Sequence, residues 1–193
     1  MKKSLSIIGV IVLIGIILYK SVGGFYNTAI TLQEDAKTAW SNVESAYQRR
    51  ADLIPNLVNT VKGYAKHEKE TLEAVIKARS NASQIKIDPT TATSEQMAKF
   101  QQAQENLKLA INVVFERYPD LKADKHFLEL QSQLEGTENR IKVERDRFNA
   151  KVNEYNKHIK HFPGNLFAGF FGFKEMARFQ SEKGAEKAPK VEF

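Results

Sequence analysis

One proline decides how this chain can fold. Pro55 lies inside the longest helical pattern in the sequence. Trp40, Val43, Tyr47, Ile54, Val58, Val61, Ala65, Leu72 and Val75 step by threes and fours, or by sevens where a polar or small residue intervenes. A seam of that period belongs to a helix packed in a bundle, and its phase passes through Pro55 unbroken. Read as one kinked helix, the stretch would cover about sixty residues and ~90 Å, long for a small globular domain. Read as two helices, Asp52 is an N-cap and Pro55 falls in the first turn, where its missing N–H costs little. In a helix interior the same proline costs about 3 kcal/mol. Length and propensity favour a turn at Ala51–Asp52, while phase favours a kink. The balance falls to the turn.

The pattern beyond it is plainer. The helix containing Val75 runs to about Ile87, and Asp88-Pro89-Thr90-Thr91-Ala92-Thr93-Ser94 is a loop. Thr93 with Gln96 forms a capping box for the next helix, whose seam is Met97, Phe100, Gln104, Leu107, Ile111, Val114 and Tyr118. Pro119 stops it by pushing the preceding residue out of the α region. A last long helix starts near Leu121–Asp124. Phe127, Leu130, Leu134, Thr137, Ile141, Glu144 and Phe148 follow a heptad, which slips by one residue to Val152, Tyr155, Ile159 and Phe162. Gly136 weakens its middle by about 1 kcal/mol against Ala and suggests a close helix–helix approach. Pro163-Gly164 ends it. The predicted fold is all-α, an elongated up-and-down helical bundle over residues 25–180, with four helices, or three if the helix continues through Pro55.

Ahead of the bundle, Leu5–Tyr19 is free of charge and rich in Ile, Val and Leu, with Lys2 and Lys3 before it and Lys20 after. Fifteen residues make a helix of about 22 Å against a hydrocarbon core of ~30 Å. With Lys20 snorkelling, residues 4–22 come close to spanning it. Tyr19, Phe25 and Tyr26 suit the interface. A cleaved signal peptide is the competing reading, with Ser21-Val22-Gly23 as its site. An uncleaved anchor over residues 1–24 is preferred, so the lipid bilayer is a partner through residues 4–22. Lys2, Lys3 and the amino terminus outweigh Lys20. The expected location is the cell membrane (the inner one if the cell has two), with the domain outside the cytoplasm.

The net charge of +6 does not argue for nucleic acid. Lys2, Lys3 and Lys20 carry half of it, which leaves 26 basic against 23 acidic residues from position 25 onward. Those charges alternate, as in Lys66–Glu73 and Arg140–Arg147, where a nucleic-acid binder would cluster them on one face. The absence of cysteine excludes disulfides and thiolate chemistry.

Candidate chemistry is sparse. His67-Glu68 lacks the second histidine of a zinc motif, because position 71 is Thr. His158 and His161 share a helix face but have no third ligand near in sequence. Arg49 and Arg50 can pair with acids across the bundle or read an anion. Asn149 and Asn156, seven apart, repeat an aromatic–Asn pair (Phe148-Asn149, Tyr155-Asn156), and with Asn56 they suit inter-helix hydrogen bonds that fix register. The glycines around Gly169-Phe170-Phe171-Gly172 carry no phosphate-loop lysine. The segment Asn165–Gln180 holds Leu166, Phe167, Phe170, Phe171, Phe173, Met176 and Phe179. It either caps the bundle or lies in the membrane interface. Four alternating helices would end near the bilayer and three far from it. Capping is preferred. Residues 181–193 read as a polar, disordered tail.

These motifs, in this order, resemble the LemA family of bacterial membrane proteins. The resemblance runs from Tyr26-Asn27 to about Phe179. Its strongest blocks are Ala39-Trp40-Ser41, Gln48-Arg49-Arg50-Ala51-Asp52-Leu53-Ile54-Pro55-Asn56-Leu57-Val58 and Val61-Lys62-Gly63-Tyr64-Ala65-Lys66-His67-Glu68. Further matches are Tyr118-Pro119-Asp120-Leu121-Lys122-Ala123, Leu134-Glu135-Gly136-Thr137-Glu138-Asn139-Arg140-Ile141, the two aromatic–Asn pairs, and Phe162-Pro163. Phe148 stands where the family usually has Tyr, and Ser45-Ala46 replaces a bulkier pair. The resemblance implies one N-terminal membrane segment and a helical, bundle-like domain. It implies no established enzymatic activity, so no catalytic, cofactor or metal residue is carried over. It also favours the anchor over the cleaved signal. The expected function is an interaction or scaffolding module at the cell envelope with a protein partner, no nucleic acid and no small-molecule substrate. The alternative is an accessory subunit or enzyme with a metal or anion site at His158, His161 or Arg49–Asp52.

Overall fold

The computed structural model describes residues 2–64 and 69–180. Among them are five α-helices, a short 3₁₀ turn and no strand. They are α1 (Lys2–Tyr64), α2 (Lys69–Gln84), α3 (Ser94–Arg117), the 3₁₀ turn Pro119–Ala123, α4 (Lys125–Lys160) and α5 (Gly164–Phe171). Residues 173–180 run on without helix or turn. Ala65, His67 and Glu68, and the tail 181–193, lie outside the described residues.

The expected turn at Ala51–Asp52 is not there. α1 is one helix of 63 residues, about 95 Å long, with Pro55 inside it. The apolar phase wins because both sides of Pro55 are core: Ala51, Ile54, Leu57, Val58 and Val61 are buried, while Pro55 and Asp52 face solvent. Proline has no N–H to give the carbonyl four residues back. Here that carbonyl, Ala51 O, receives Arg79 Nε of α2 at 2.8 Å instead. Asp52 caps nothing; it accepts Gln48 Nε2 at 2.7 Å within the helix.

The chain does reverse, but α1 reaches Tyr64 first and the antiparallel helix is α2, from Lys69. α2 returns along α1, and the next helices alternate. Arg117 Nη1 donates to Thr71 Oγ1 at 2.9 Å and Gln104 Nε2 to Ala82 O at 3.3 Å, which makes α2 and α3 antiparallel. Along the main α1–α4 interface Phe25 meets His158, Lys151 meets Asp35 and Arg50 meets Glu138. The four passes of a bundle are therefore kept despite the unbroken helix at Pro55, and the end of α4 comes back beside Phe25.

Helices α3 and α4 follow their sequence patterns. The Thr93–Gln96 capping box is formed, with Gln96 N donating to Thr93 Oγ1 at 3.2 Å and Thr93 N to Gln96 Oε1 at 2.8 Å. Met97, Phe100, Gln104, Leu107, Ile111 and Val114 are buried, and Tyr118 is half-buried. α4 begins after the 3₁₀ turn, where Asp124 accepts from Phe127 N at 3.0 Å. Its seam from Phe127 through Ile159, Thr137 and Glu144 included, is buried. Phe162 departs from that seam and is exposed, because α4 stops at Lys160, ahead of Pro163. Gly136 sits on open surface rather than at a helix crossing. The close approach is at Gly164, where an added Cβ would meet His158 O and lie 2.8 Å from the Phe25 ring.

Two apolar clusters fill the bundle. One, near the end of the apolar N-terminal run, gathers Phe25, Trp40, Val43, Tyr47, Phe100, Phe148, Tyr155, Met176 and Phe179. The other, at the far end, gathers Ile54, Leu57, Val58, Val61, Leu72, Val75, Leu107, Ile111, Val114, Phe127 and Leu134. From Ile7 through Ser21 the side chains of α1 stand clear of the bundle.

Candidate functional site

Between the clusters lies a layer of polar groups on three helices. Arg50 projects from α1 one turn before Ile54 and is almost fully buried. Its Nη1 reaches Glu138 Oε1 of α4 at 2.5 Å. Its Nη2 donates to both the backbone oxygen and Oε1 of Gln104 on α3, at 3.0 and 2.6 Å. The guanidinium also sits 5.2 Å from the centre of the Tyr47 ring. Burial pushes the Tyr47 phenol up to about 12, against the opposing pull of Arg145 and Arg50. Thus Arg50 pairs with an acid across the bundle, while Arg49 and Asp52 point away to solvent. The cleft beside this layer, of about 590 Å³, is walled by Lys108, Lys142 and Arg145 together with Glu105, Glu138 and Asp146. Both signs alternate around it.

The second construction is a clamp on the extended segment 173–180. Asn156 Nδ2 donates to Met176 O at 2.9 Å, and Met176 N donates to Asn156 Oδ1 at 3.0 Å. One register unit on, Asn149 Nδ2 donates to Phe179 O at 3.1 Å and accepts from Phe179 N at 2.9 Å. The spacing has a simple cause. Seven residues of helix rise about 10.5 Å, and three residues of extended chain cover ~10 Å. Gln101 of α3 makes the same two-way contact with Gln180, at 2.9 and 3.3 Å. An extended backbone cannot satisfy its own N–H and C=O groups, so three side-chain amides do it. With its backbone held, Phe179 enters the core, stacked on Trp40 at 5.8 Å and edge-on to Phe148 at 5.7 Å. Arg145 lies 4.7 Å from its ring centre on the outside.

The predicted register role for the asparagines therefore holds in kind but not in partner. Asn149 and Asn156 grip chain backbone, not another helix, and Asn56 is exposed on α1. His158 and His161 do not converge either. His158 Nε2 lies 3.1 Å from Phe25 O and its ring stacks on Phe25 at 4.8 Å, while His161 is an exposed helix end. His67 lies outside the described residues. Among the described residues no three His, Asp or Glu side chains are grouped to hold a metal. Chemically, the arrangement can recognise main chain and bury one ion pair. Gln101 and Arg79 are single polar residues on helix faces, with no pattern around them, and stand out only once a partner is known.

A sequence model of the LemA family matches residues 39–193. This chain belongs to the LemA family. It is 28% identical to Protein LemA of Metamycoplasma hominis over 94% of this chain and 80% of that one. It is 27% identical to Magnetosome protein MamQ 2 of Paramagnetospirillum magneticum, over 96% of this chain and 73% of the relative. Magnetosome protein MamQ of Magnetospirillum gryphiswaldense is 27% identical over 85% of this chain and 67% of its own length. The blocks that carry the LemA resemblance meet in space: Gln48–Val58 brings Arg50, Leu134–Ile141 brings Glu138, and the two aromatic–Asn pairs bring the clamp.

Proposed function

We propose that this LemA-family chain is a single-pass membrane-anchored protein whose bundle is an interaction or scaffolding module at the cell envelope, without chemistry of its own. The observation that carries the reading is the continuity of α1. One helix holds an apolar run with none of its side chains buried against the bundle, and then enters the core without a break. Residues outside the bundle with that composition have no other apolar surface among the described residues to lie against. Arg50 and the amide clamp, among the buried polar groups of the bundle, hold helices and chain in place. The lysine balance supports a domain outside the cytoplasm.

Carbonate-washed membranes should retain the full chain, and recovery in the wash overturns the anchor. The sequence has no cysteine, so single-cysteine variants at Leu109 and at Leu128, both exposed, report orientation. An impermeant maleimide should label them in intact cells, and labelling only after lysis reverses the topology. Crosslinking in intact cells should return a reproducible protein partner; a consistently uncrosslinked monomer removes the scaffolding role.

A further inference from the structure

Helix α5 has its small residues inward and its large ones outward. Gly164 and Ala168 are buried against the bundle, with Gly164 under the Phe25 ring. Leu166 is 62% exposed and Phe170 84% exposed, one turn apart, and Phe162 just ahead of the helix is 81% exposed. A helix facing only water would present the opposite pattern. Phe167 and Phe171 are partly buried and lean on Phe25 and Tyr26, with ring centres 5.7 and 5.0 Å apart. These contacts fix where α5 sits along α1. Residues 4–23 would span about 30 Å as a helix, the thickness of a hydrocarbon core. Phe25 and Tyr26 then fall at the headgroup level, and α5 falls there with them. Tyr19, 81% exposed, approaches the same level from inside. Lys20, Lys157 and Lys174 are exposed around this end, and Lys160 is paired with Glu175 at 2.6 Å. Aromatic and aliphatic side chains rimmed by lysine match the boundary between acyl chains and phosphate headgroups.

We propose that α5 is an interfacial membrane-docking helix: Phe162, Leu166 and Phe170 insert into the headgroup–acyl boundary of the leaflet through which α1 emerges, and seat the bundle against the bilayer. The partner is the lipid surface, with anionic headgroups favoured by the lysines. The inference rests on the anchored reading of α1, and the test separates the two. Full-length chains carrying one environment-sensitive fluorophore, at V12C, L166C, F170C or L128C, are reconstituted in phosphatidylcholine–phosphatidylglycerol nanodiscs with lipid-borne quenchers placed shallow or deep.

The expected result is emission loss at position 12 with the deep quencher, at 166 and 170 with the shallow one, and none at 128. Quenching at 12 with water-like, unquenched emission at 166 and 170 overturns docking while leaving the anchor. Blue-shifted but unquenched emission at 166 and 170 means that protein covers the face, and also overturns it. No quenching at 12 removes the anchor and the docking together. Replacing the phosphatidylglycerol by phosphatidylcholine should reduce the loss at 166 and 170 and leave position 12 unchanged; equal loss in both lipids removes the preference for anionic headgroups.

Discussion

The two halves of the bundle share α1, α3 and α4 but close their cores differently. In the far half the remaining wall is a helix, α2, and the core is mainly aliphatic around the buried ring of Phe127: Ile54, Leu57, Val61, Val75, Leu107, Ile111 and Val114. In the half nearer the apolar run, that wall includes the extended segment 173–180, and the core is aromatic: Phe25, Trp40, Tyr47, Phe100, Phe148, Tyr155 and Phe179. The difference follows from what each kind of wall supplies. A helix is about 10 Å thick and satisfies its own backbone, so Leu and Val suffice to fill the gap. An extended chain is thinner and brings bare amides. Larger rings must fill the space, and side chains such as Asn149, Asn156 and Gln101 must meet the backbone. The side-chain amides that line segment 173–180 are a consequence of that choice of wall.

That contrast can be broken in order of size. Phe179→Ala should cost about 3–5 kcal/mol, the usual range for a buried Phe, and all of it from the aromatic half. Trp40 is the sole tryptophan, so its fluorescence reads that half alone. Its urea transition should move to lower concentration while far-UV dichroism keeps a later component from the far half. Coincident transitions would mean that the halves do not separate. Arg50→Ala removes the buried charge that joins them and should cost about 2–3 kcal/mol, because Gln104 loses its buried donor and part-buried Glu138 its ion pair. Here both halves should lose stability and their transitions should drift apart; an unchanged, coincident transition would remove the polar layer as a joint.

Alkali should act on the aromatic half through Tyr47. Its phenol is raised by burial from 10.0 to about 12, so the folded state keeps a proton that the unfolded chain has released. This stabilisation is complete below pH 10 and is lost as pH rises to about 12. Two pH units correspond to roughly 2–3 kcal/mol. In Tyr47→Phe the alkaline decline in stability should shrink by about that amount, leaving the part due to Tyr155, whose phenol burial also raises. Asn156→Ala should cost about 1–3 kcal/mol, since it strands the N–H and C=O of Met176. The loss should appear in Trp40 emission first. The smallest effect belongs to the far half. Arg79→Ala should cost about 1 kcal/mol in the native background and less in Pro55→Ala, where residue 55 regains an N–H for Ala51 O. An additive double-mutant cycle would dissociate Arg79 from the proline.

What the sequence allows a reader to see divides along the same line. The seam of α3, that of α4 as far as Ile159 and the Thr93 cap are local patterns, and the structure keeps them, while α2 stops at Gln84, short of the expected Ile87. Pro55 was misjudged because its compensation is not local: the donor that replaces the missing N–H comes from Arg79, on another helix. The reversal lies beyond Tyr64, where the apolar phase gave no sign of it. The pairing of Asn149 with Asn156 was visible as a spacing, but its partner was not. Segment 173–180 has neither helical nor strand periodicity of its own, and its path is set by the amides that receive it. Likewise α5 shows only as a run of aromatics until Gly164 and Ala168 fix which side faces in.

The clamp works like a vernier. Two scales of different pitch, helix and extended chain, coincide at Asn156 with Met176 and again at Asn149 with Phe179. The next graduation back along α4 falls at Lys142, which offers no side-chain amide, and α4 ends at Lys160 before another could follow Asn156. Because each residue offers the same N–H and C=O, the amides fix the spacing, and the setting is chosen by the side chains of Met176 and Phe179, which are buried, Phe179 against Trp40. A deletion between Met176 and Phe179 should therefore be far more disruptive than one after Gln180, although neither removes a helix.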